Sequence, residues 1–220
     1  PPRLTAVLGG DNSVTYPSML GLFHGQLADS ALITFDAHHD LRDGWSNGSP
    51  VRQLVEAGLP GTHIVQIGIA GFANSRAYYE RARDFGIHII SREDCHRRSA
   101  ADVIDEAMGV IGDRATHIDI DVDVCDRSVA PGCPASSPGG VSAQYLRDLV
   151  YYASNRPQVR SLDITEVDAA ADAPDGRTVR LAALCLLEAA AGLATRTRVH
   201  SSDASVAHHE QHHENSRSAS

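Results

Sequence analysis

The chain has 220 residues, of which 42% are hydrophobic and 21% charged, as is typical of a globular protein. This length favours one domain with a substantial core over two ordinary domains. The formal charge of -9 comes without a basic cluster, which argues against a nucleic-acid partner. No charged-then-apolar leader and no apolar run near the ~20 residues of a membrane span are evident, so we expect a soluble cytoplasmic protein without a membrane partner.

The cysteines are sparse and have no C-x-x-C spacing, which argues against a secreted disulfide scaffold. We expect reduced thiols at Cys95, Cys125, Cys133 and Cys185. Cys185 lies in an apolar helical pattern, so we interpret it as a small core residue.

Short β-rich apolar runs alternate with helical patterns along the chain, which predicts a parallel sheet covered by helices. The predicted strands are 4–8, 31–35, 63–69, 86–90, 117–122 and 159–164. The predicted helices are 16–27, 50–57, 75–85, 100–111, 143–154 and 178–194. The expected fold class is therefore α/β.

The two ends of the chain give separate expectations. The first predicted strand starts at Leu4, so we expect that an opening segment of the domain is missing and that the catalytic domain covers 1–194. Residues 195–220 lack apolar periodicity and are rich in Ser and His, which predicts a disordered tail. Its histidines could capture transition metals, but incidental histidines in a polar tail are the favoured interpretation.

The first acidic motif follows the predicted strand 31–35. Asp36 and His38 point to the same side if the strand alternation continues, and a turn can bring Asp40 towards them. Ligands of open α/β sheets bind at the carboxyl ends of the strands, which is where this motif lies. We therefore expect these three side chains to converge on a metal ion.

The second acidic motif is in the predicted strand 117–122, where Asp119, Asp121 and Asp123 are expected on one face. Closely spaced carboxylates repel one another and are not buried without a compensating charge, so a cation is the natural partner. An EF-hand loop is excluded because Val124 stands at its glycine position and Ala130 at its final glutamate position. Oxygen ligands with one imidazole favour Mn²⁺ over zinc, and two ions that activate a water are plausible.

Several motifs together resemble the ureohydrolase family, which includes arginase, agmatinase, guanidino-acid hydrolases and formimidoylglutamase. They occur in family order over nearly all of 4–194 and are Gly9-Gly10-Asp11-Asn12-Ser13, Asp36-Ala37-His38-His39-Asp40, Asp121-Val122-Asp123 leading to Asp126, Ala130-Pro131-Gly132, and Glu166. The resemblance implies a three-layer α/β/α sandwich around an eight-stranded parallel sheet, of the arginase/deacetylase-like type. It also implies a homotrimer or homohexamer.

The resemblance further implies which residues hold two manganese ions. Asp36 and Asp121 would bridge the ions, with His38 and Asp123 on one ion and Asp40 on the other. Glu166 would face a cationic amidine or guanidine of the substrate, since a carboxylate can pair with such a group through two hydrogen bonds. A local structural salt bridge is the alternative for Glu166.

Two positions depart from the usual family pattern. Asn12 stands where a metal-binding histidine is usual, so it is either a weaker ligand that alters one metal site or a turn residue that leaves five ligands. By the same resemblance, Asn47 stands where arginases and agmatinases have a histidine that shuttles protons. The sequence around Asn47 is closer to formimidoylglutamases. There, Arg42 or Arg52 could bind a substrate carboxylate, and a surface role is equally plausible.

The favoured hypothesis is manganese-dependent hydrolysis of N-formimidoyl-L-glutamate to L-glutamate and formamide, a step of histidine degradation, with Asp123 or Asp40 relaying a proton. The first alternative is an agmatinase or guanidino-acid hydrolase that releases urea. The second is a catalytically silent, metal-binding relative in which Asn12 and Asn47 record lost activity.

Overall fold

The computed structural model describes residues 4–215, with side chains described for 4–196. Its strands are β1 (Thr5–Leu8), β2 (Ser30–Phe35), β3 (Ile64–Ile69), β4 (His88–Ser91), β5 (Ala115–Asp121) and β6 (Val159–Thr165). They form one sheet in the order β1-β6-β5-β2-β3-β4, with every pairing parallel. The described residues thus contribute six strands of the α/β fold expected from the sequence.

Seven α-helices lie among the described residues. They are α1 (Thr15–Leu22), α2 (Pro50–Glu56), α3 (Arg76–Phe85), α4 (Arg92–Arg97), α5 (Ala100–Ile111), α6 (Ala143–Ser154) and α7 (Arg177–Asn215). One apolar cluster joins the sheet to α4, α5, α6 and α7, and a second joins the opposite face to α1, α2 and α3. The molecule is therefore the predicted three-layer α/β/α sandwich.

The strand order places a crevice at the carboxyl ends of β2 and β5. These strands are neighbours, but the chain passes from β2 to β3 on one side and from β5 to β6 on the other. Successive connections that leave in opposite directions open a crevice at such a switch point, and ligands of open α/β sheets bind there. The residues that follow β2 and β5 are those of the two acidic motifs.

Local sequence signals explain where the helices differ from the prediction. The first helix ends at Leu22 rather than at residue 27, because His24 and Gly25 adopt positive φ angles of 52° and 72° that an α-helix does not allow. Helix α4 is not among the predicted helices; it begins with a capping box between Ser91 and Asp94.

The last helix passes the predicted boundary at residue 195. It contains no Gly or Pro between Leu193 and Asn215, so no residue of the sequence interrupts it. The predicted tail 195–220 lies almost wholly outside the described side chains, and its disorder stays a prediction.

One stretch of α7 corrects the expectation that no apolar run is long enough to span a membrane. Arg177–Arg196 passes that test by length and composition, with a mean hydropathy of 1.5. Leu181, Cys185 and Ala189 of this helix are buried in the core of the sandwich, so one side of it is a layer of the domain. Cys185 is thus the core residue that the sequence predicted, and its thiol is free and buried, as are those of the other three cysteines.

Candidate metal centre and active site

The carboxyl end of β2 supplies the first half of the site. Asp36 directly follows the strand and is almost fully buried. Its Oδ1 accepts a hydrogen bond from the backbone N–H of His38 at 2.6 Å, while its Oδ2 is buried without a hydrogen-bond partner among the described residues. The His38 Nδ1 lies 2.7 Å from Asp123 Oδ2 and 3.5 Å from Asp36 Oδ1. Donor atoms of these three residues all lie within 4.8 Å of one another.

The carboxyl end of β5 supplies the second half. Asp121 is the last residue of the strand, and Asp123 lies in a short 3-10 turn after it rather than on the same strand face. The Asp121 Oδ1 accepts the Asp123 N–H at 2.8 Å, and Asp123 Oδ1 accepts the Ala37 N–H at 3.0 Å. Because Asp123 contacts the loop after β2, it joins the two acidic motifs.

Asp40 and Asn12 meet on another side of the site. Asp40 adopts a left-handed φ of 52°, which turns the chain after Asp36 and His38. Its Oδ2 accepts a hydrogen bond from the Asn12 Nδ2 at 2.5 Å. The Asn12 Oδ1 accepts hydrogen bonds from the hydroxyls of Thr15 and Thr165 at 3.1 and 3.0 Å. Asn12 therefore presents its amide nitrogen to Asp40, whereas the predicted metal ligand would be its oxygen.

The acids of this cluster destabilise one another's ionised forms. Burial, and then repulsion from neighbouring carboxylates, raises the pKa of Asp36 and of Asp121 well above the ordinary value. Burial and the charge of Asp123 raise the pKa of Asp40 to about 7. Burial also acts against ionisation of Asp123, but the hydrogen bond and charge of His38 outweigh it and lower the pKa of this carboxyl.

These residues fit a divalent cation. Four buried carboxylates and one imidazole converge, and no described residue forms a hydrogen bond with Asp36 Oδ2. A bound cation would compensate the charge that the protein itself leaves uncompensated, and oxygen-rich donors with one imidazole suit Mn²⁺.

Glu166 lies across the crevice, immediately after β6, at a positive φ of 62°. Its Oε1 accepts hydrogen bonds from the Asn12 N–H at 2.9 Å and from the Asn47 Nδ2 at 3.1 Å. The contact is with amide donors, and no salt bridge to Glu166 occurs among the described side chains. Its carboxylate is thus held in place without its charge being neutralised.

The two arginines of the loop after Asp40 have different roles. Arg52 donates from Nε to the Arg42 carbonyl at 2.6 Å and also binds the Gly44 carbonyl and Glu56. Arg42 is exposed, borders the crevice and has no acidic partner among the described residues. Its side chain packs over Gly48, where an added Cβ would lie 2.6 Å from the Arg42 Cδ. No local pattern of the sequence predicts this contact between Arg42 and Gly48.

One cavity of about 60 Å³ collects the predicted metal and substrate residues. It is lined by His38, Asp40, Arg42, Asn47, Gly48, Asp121, Asp123, Ala135 and Glu166. Asp36 and Asn12 do not line it and reach it through hydrogen bonds to lining residues. The folding of the chain therefore brings the candidate site residues named from the sequence, apart from Arg52 and Asp119, into or directly beside one cavity.

A buried polar network behind the site is a feature that the sequence analysis missed. Asp119, predicted to share the metal-binding face, does not line the cavity, and its register partner is Asp163 on β6. His117 lies 3.0 Å from Asp163 Oδ2 through Nε2 and 2.8 Å from Ser161 Oγ through Nδ1. Polar residues at two-residue spacing on both strands were the available signal.

The fold and this cluster define an α/β protein with a candidate divalent-metal centre at the carboxyl edge of its sheet. The model of the arginase family matches residues 2–192. The chain therefore belongs to the arginase family.

Within this family, the chain is similar to formimidoylglutamases. Formimidoylglutamase of Bacillus subtilis is 37% identical over 88% of this chain and 62% of its own length. Its crystal structure superposes with a TM-score of 0.81, covering 86% of this chain and 60% of that one. Formiminoglutamase of Trypanosoma cruzi, solved with Mn²⁺, has 26% identity and a TM-score of 0.82 over 88% of this chain and 66% of that one.

A guanidino-acid enzyme is also similar. Guanidinopropionase of Pseudomonas aeruginosa is 31% identical over 82% of this chain and 59% of its own length. The chain thus spans about three fifths of the curated relatives it matches.

Proposed function

We propose that this chain is the catalytic domain of a manganese-dependent hydrolase that converts N-formimidoyl-L-glutamate and water to L-glutamate and formamide. The observation that carries the proposal is that Arg42 lines the same cavity as the acidic cluster and Glu166. Similarity to the formimidoylglutamases of the arginase family supports it.

The charges of this substrate match the charges of the cavity. The formimidoyl group is a cationic amidine, for which Glu166 offers a carboxylate, and the glutamate part carries carboxylates, for which Arg42 offers a guanidinium. Agmatine carries a second cation instead of a carboxylate, so Arg42 would repel it. Guanidino acids satisfy both charges, which makes them the stronger of the two urea-releasing alternatives.

Each residue then has a chemical task. Asp36, His38, Asp40, Asp121 and Asp123 would hold the manganese. Bound divalent cations would supply an activated water as the nucleophile. The oxygen of this water would form a bond to the amidine carbon, the bond from that carbon to the glutamate nitrogen would break, and a proton from the water would pass to the departing nitrogen.

Several side chains would act around the bond that breaks. Glu166 would orient the amidinium, and the hydrogen bond from Asn47 Nδ2 would orient Glu166. Asp123 or Asp40 would carry the proton to the departing nitrogen. Asn12, with its nitrogen facing Asp40, would hold that carboxylate in place rather than bind metal.

The products distinguish the candidate functions. The full chain, with His208, His209, His212 and His213 changed to Gln so that they do not capture metal, would be loaded with manganese and assayed for formamide and urea. Formamide from N-formimidoyl-L-glutamate is the expected product. Urea from a guanidino acid would move the substrate to that class. Bound manganese with neither product would instead indicate the catalytically silent relative.

Asp121→Asn tests the metal centre directly. Loss of a carboxylate at the predicted bridging position should abolish manganese binding and turnover together, measured by elemental analysis and formamide release. Asp29→Asn, at an exposed position outside the cavity, is the control and should retain both. Wild-type turnover in the Asp121 variant would end the proposal.

The comparisons with relatives do not test the oligomeric state or the cellular compartment of this chain. A homotrimer or homohexamer, which would be checked by light scattering, and a cytoplasmic location both stay as expected from the sequence.

A further inference from the structure

A second cavity, of about 400 Å³, lies at the carboxyl edge of the sheet beyond β3 and β4. The loop 70–73 forms one wall, 137–139 forms another, and Arg92 and Glu93 of α4 complete the lining. None of these residues lines the candidate active site. Phe72 stands fully exposed on its wall, so an aromatic ring borders the opening.

Arg92 is the exceptional residue of this second cavity. It is 7% exposed and is the only buried arginine among the described side chains. Its Nη1 donates to the Ser137 Oγ at 3.4 Å, a long contact with a neutral group. Its Nε and Nη2 are buried and have no hydrogen-bond partner in the part of the chain that the structure describes.

Other half-buried arginines of the described chain pair with a carboxylate, which Arg92 does not. Arg52 pairs with Glu56, Arg81 with Asp43 at 2.9 Å, and Arg98 with Glu106 at 2.6 Å. No carboxylate oxygen of the described side chains lies within 4.0 Å of the guanidinium nitrogens of Arg92. An uncompensated buried guanidinium is strongly unfavourable, so an acceptor from outside the chain is the natural partner.

We propose that this second cavity binds a small carboxylate, with Arg92 as its counter-ion. A guanidinium and a carboxylate form two parallel hydrogen bonds, which would satisfy donors that the protein leaves unpaired. Ala70, Phe72, Ala73 and Pro138 provide apolar surface for a short hydrocarbon part. The exposed Glu93 at the rim disfavours anions with more than one charge, such as phosphate.

The test is calorimetric titration of the full chain with sodium butyrate, with sodium phosphate and sodium chloride as comparison salts. We expect saturable butyrate binding that weakens at least tenfold in Arg92→Gln. Arg97→Gln, at an exposed position on the same helix, is the matched control and should bind like the wild type. Binding should be unchanged by EDTA, which separates this cavity from the metal centre and from the proposed hydrolase activity.

Several results would overturn the proposal. Equal butyrate affinity in the wild type and Arg92→Gln would place the binding elsewhere, and loss of binding in EDTA would place it on the metal centre. If phosphate binds as tightly as butyrate, the site is not selective for carboxylates. If the wild type binds no butyrate but forms a dimer that Arg92→Gln abolishes, an acidic group of a second copy is the partner.

A second variant guards against loss of folding. If circular dichroism shows that Arg92→Gln is unfolded, Arg92→Lys keeps the positive charge but not the two parallel donors. It should bind butyrate several-fold more weakly than the wild type, and unchanged affinity would contradict a bidentate guanidinium site.

Discussion

The contacts of Arg42 and Arg52 decide which of the two guanidinium groups is available to bind a substrate. Arg52 binds backbone carbonyls and Glu56, so its guanidinium is occupied. Arg42 lies over Gly48 at the edge of the candidate active-site cavity and has no acidic partner among the described side chains. The sequence left both arginines as candidates, and their contacts favour Arg42.

Arg42→Gln should therefore weaken substrate binding more than it slows chemistry. We expect KM for N-formimidoyl-L-glutamate to rise by about tenfold to a hundredfold with little change in kcat, as loss of a charge-assisted hydrogen bond implies. Steady-state formamide release checks this. Arg83→Gln, at an exposed position outside the site, is the control. An unchanged KM would mean that Arg42 does not bind the substrate carboxylate.

Asn12→Asp should destabilise the metal-free protein. The substitution replaces the donor that faces Asp40 with a second carboxylate oxygen, at a contact now 2.5 Å long. We expect a loss of about 1–3 kcal/mol in the free energy of unfolding at neutral pH, because a buried hydrogen bond becomes a repulsion. Added manganese should offset part of it.

Urea denaturation with and without manganese measures this effect. Asp11→Asn, next to it at an exposed position, is the comparison for a change at the same turn. Full stability of metal-free Asn12→Asp would contradict the orientation of the Asn12 amide.

At the scale of elements, the loop between β2 and α2 is held from two sides. Arg52 of α2 binds the carbonyls of Arg42 and Gly44. Arg81 of α3 binds the Leu41 carbonyl at 2.5 Å and Asp43 at 2.9 Å. The loop that carries Arg42 and Asn47 is thus fixed by side chains of two helices.

Arg52→Ala should loosen this loop without touching the metal ligands. We expect a higher KM, unchanged manganese content, and a change in the fluorescence of Trp45, the single tryptophan of the chain and a member of the loop. Arg76→Ala is the matched control, since Arg76 also pairs with a residue four positions later, Glu80, but on the exposed surface. Identical fluorescence and KM in both variants would contradict the role of Arg52 in fixing the loop.

For the whole molecule, the acidic cluster links stability to pH and metal. Asp40, with a folded-state pKa of about 7, binds its proton more tightly in the folded than in the unfolded chain, where about 3.9 is usual. Its contribution to stability is complete below the unfolded value and is lost as pH rises towards 7. Asp36 and Asp121 act in the same direction.

Metal-free protein should therefore lose stability between about pH 4 and 7, and manganese should restore more of it as pH rises. Thermal unfolding with and without EDTA across this range is the measurement. We expect a stabilisation by manganese of roughly 3 °C or more at pH 7. Asp40→Asn should flatten the pH dependence of the metal-free protein, and an equal slope in this variant would contradict the raised pKa.

The sequence alone determined the α/β class and most element positions, because short apolar runs and helical periodicity are local signals. α5 and α6 occur at the predicted boundaries. The acids of the cluster could also be named from the sequence, since they directly follow predicted strands and this is a local pattern. The tail 195–220 and the assembly remain predictions.

Only the tertiary structure decided which atoms meet. The orientation of Asn12 depends on Thr165, 153 positions away, and the choice between Arg42 and Arg52 depends on side-chain contacts. The unpaired guanidinium of Arg92 becomes apparent only when 137–139 folds beside it. Such contacts arise from packing between segments distant in sequence, so local patterns could identify the residues of the site but not their partners.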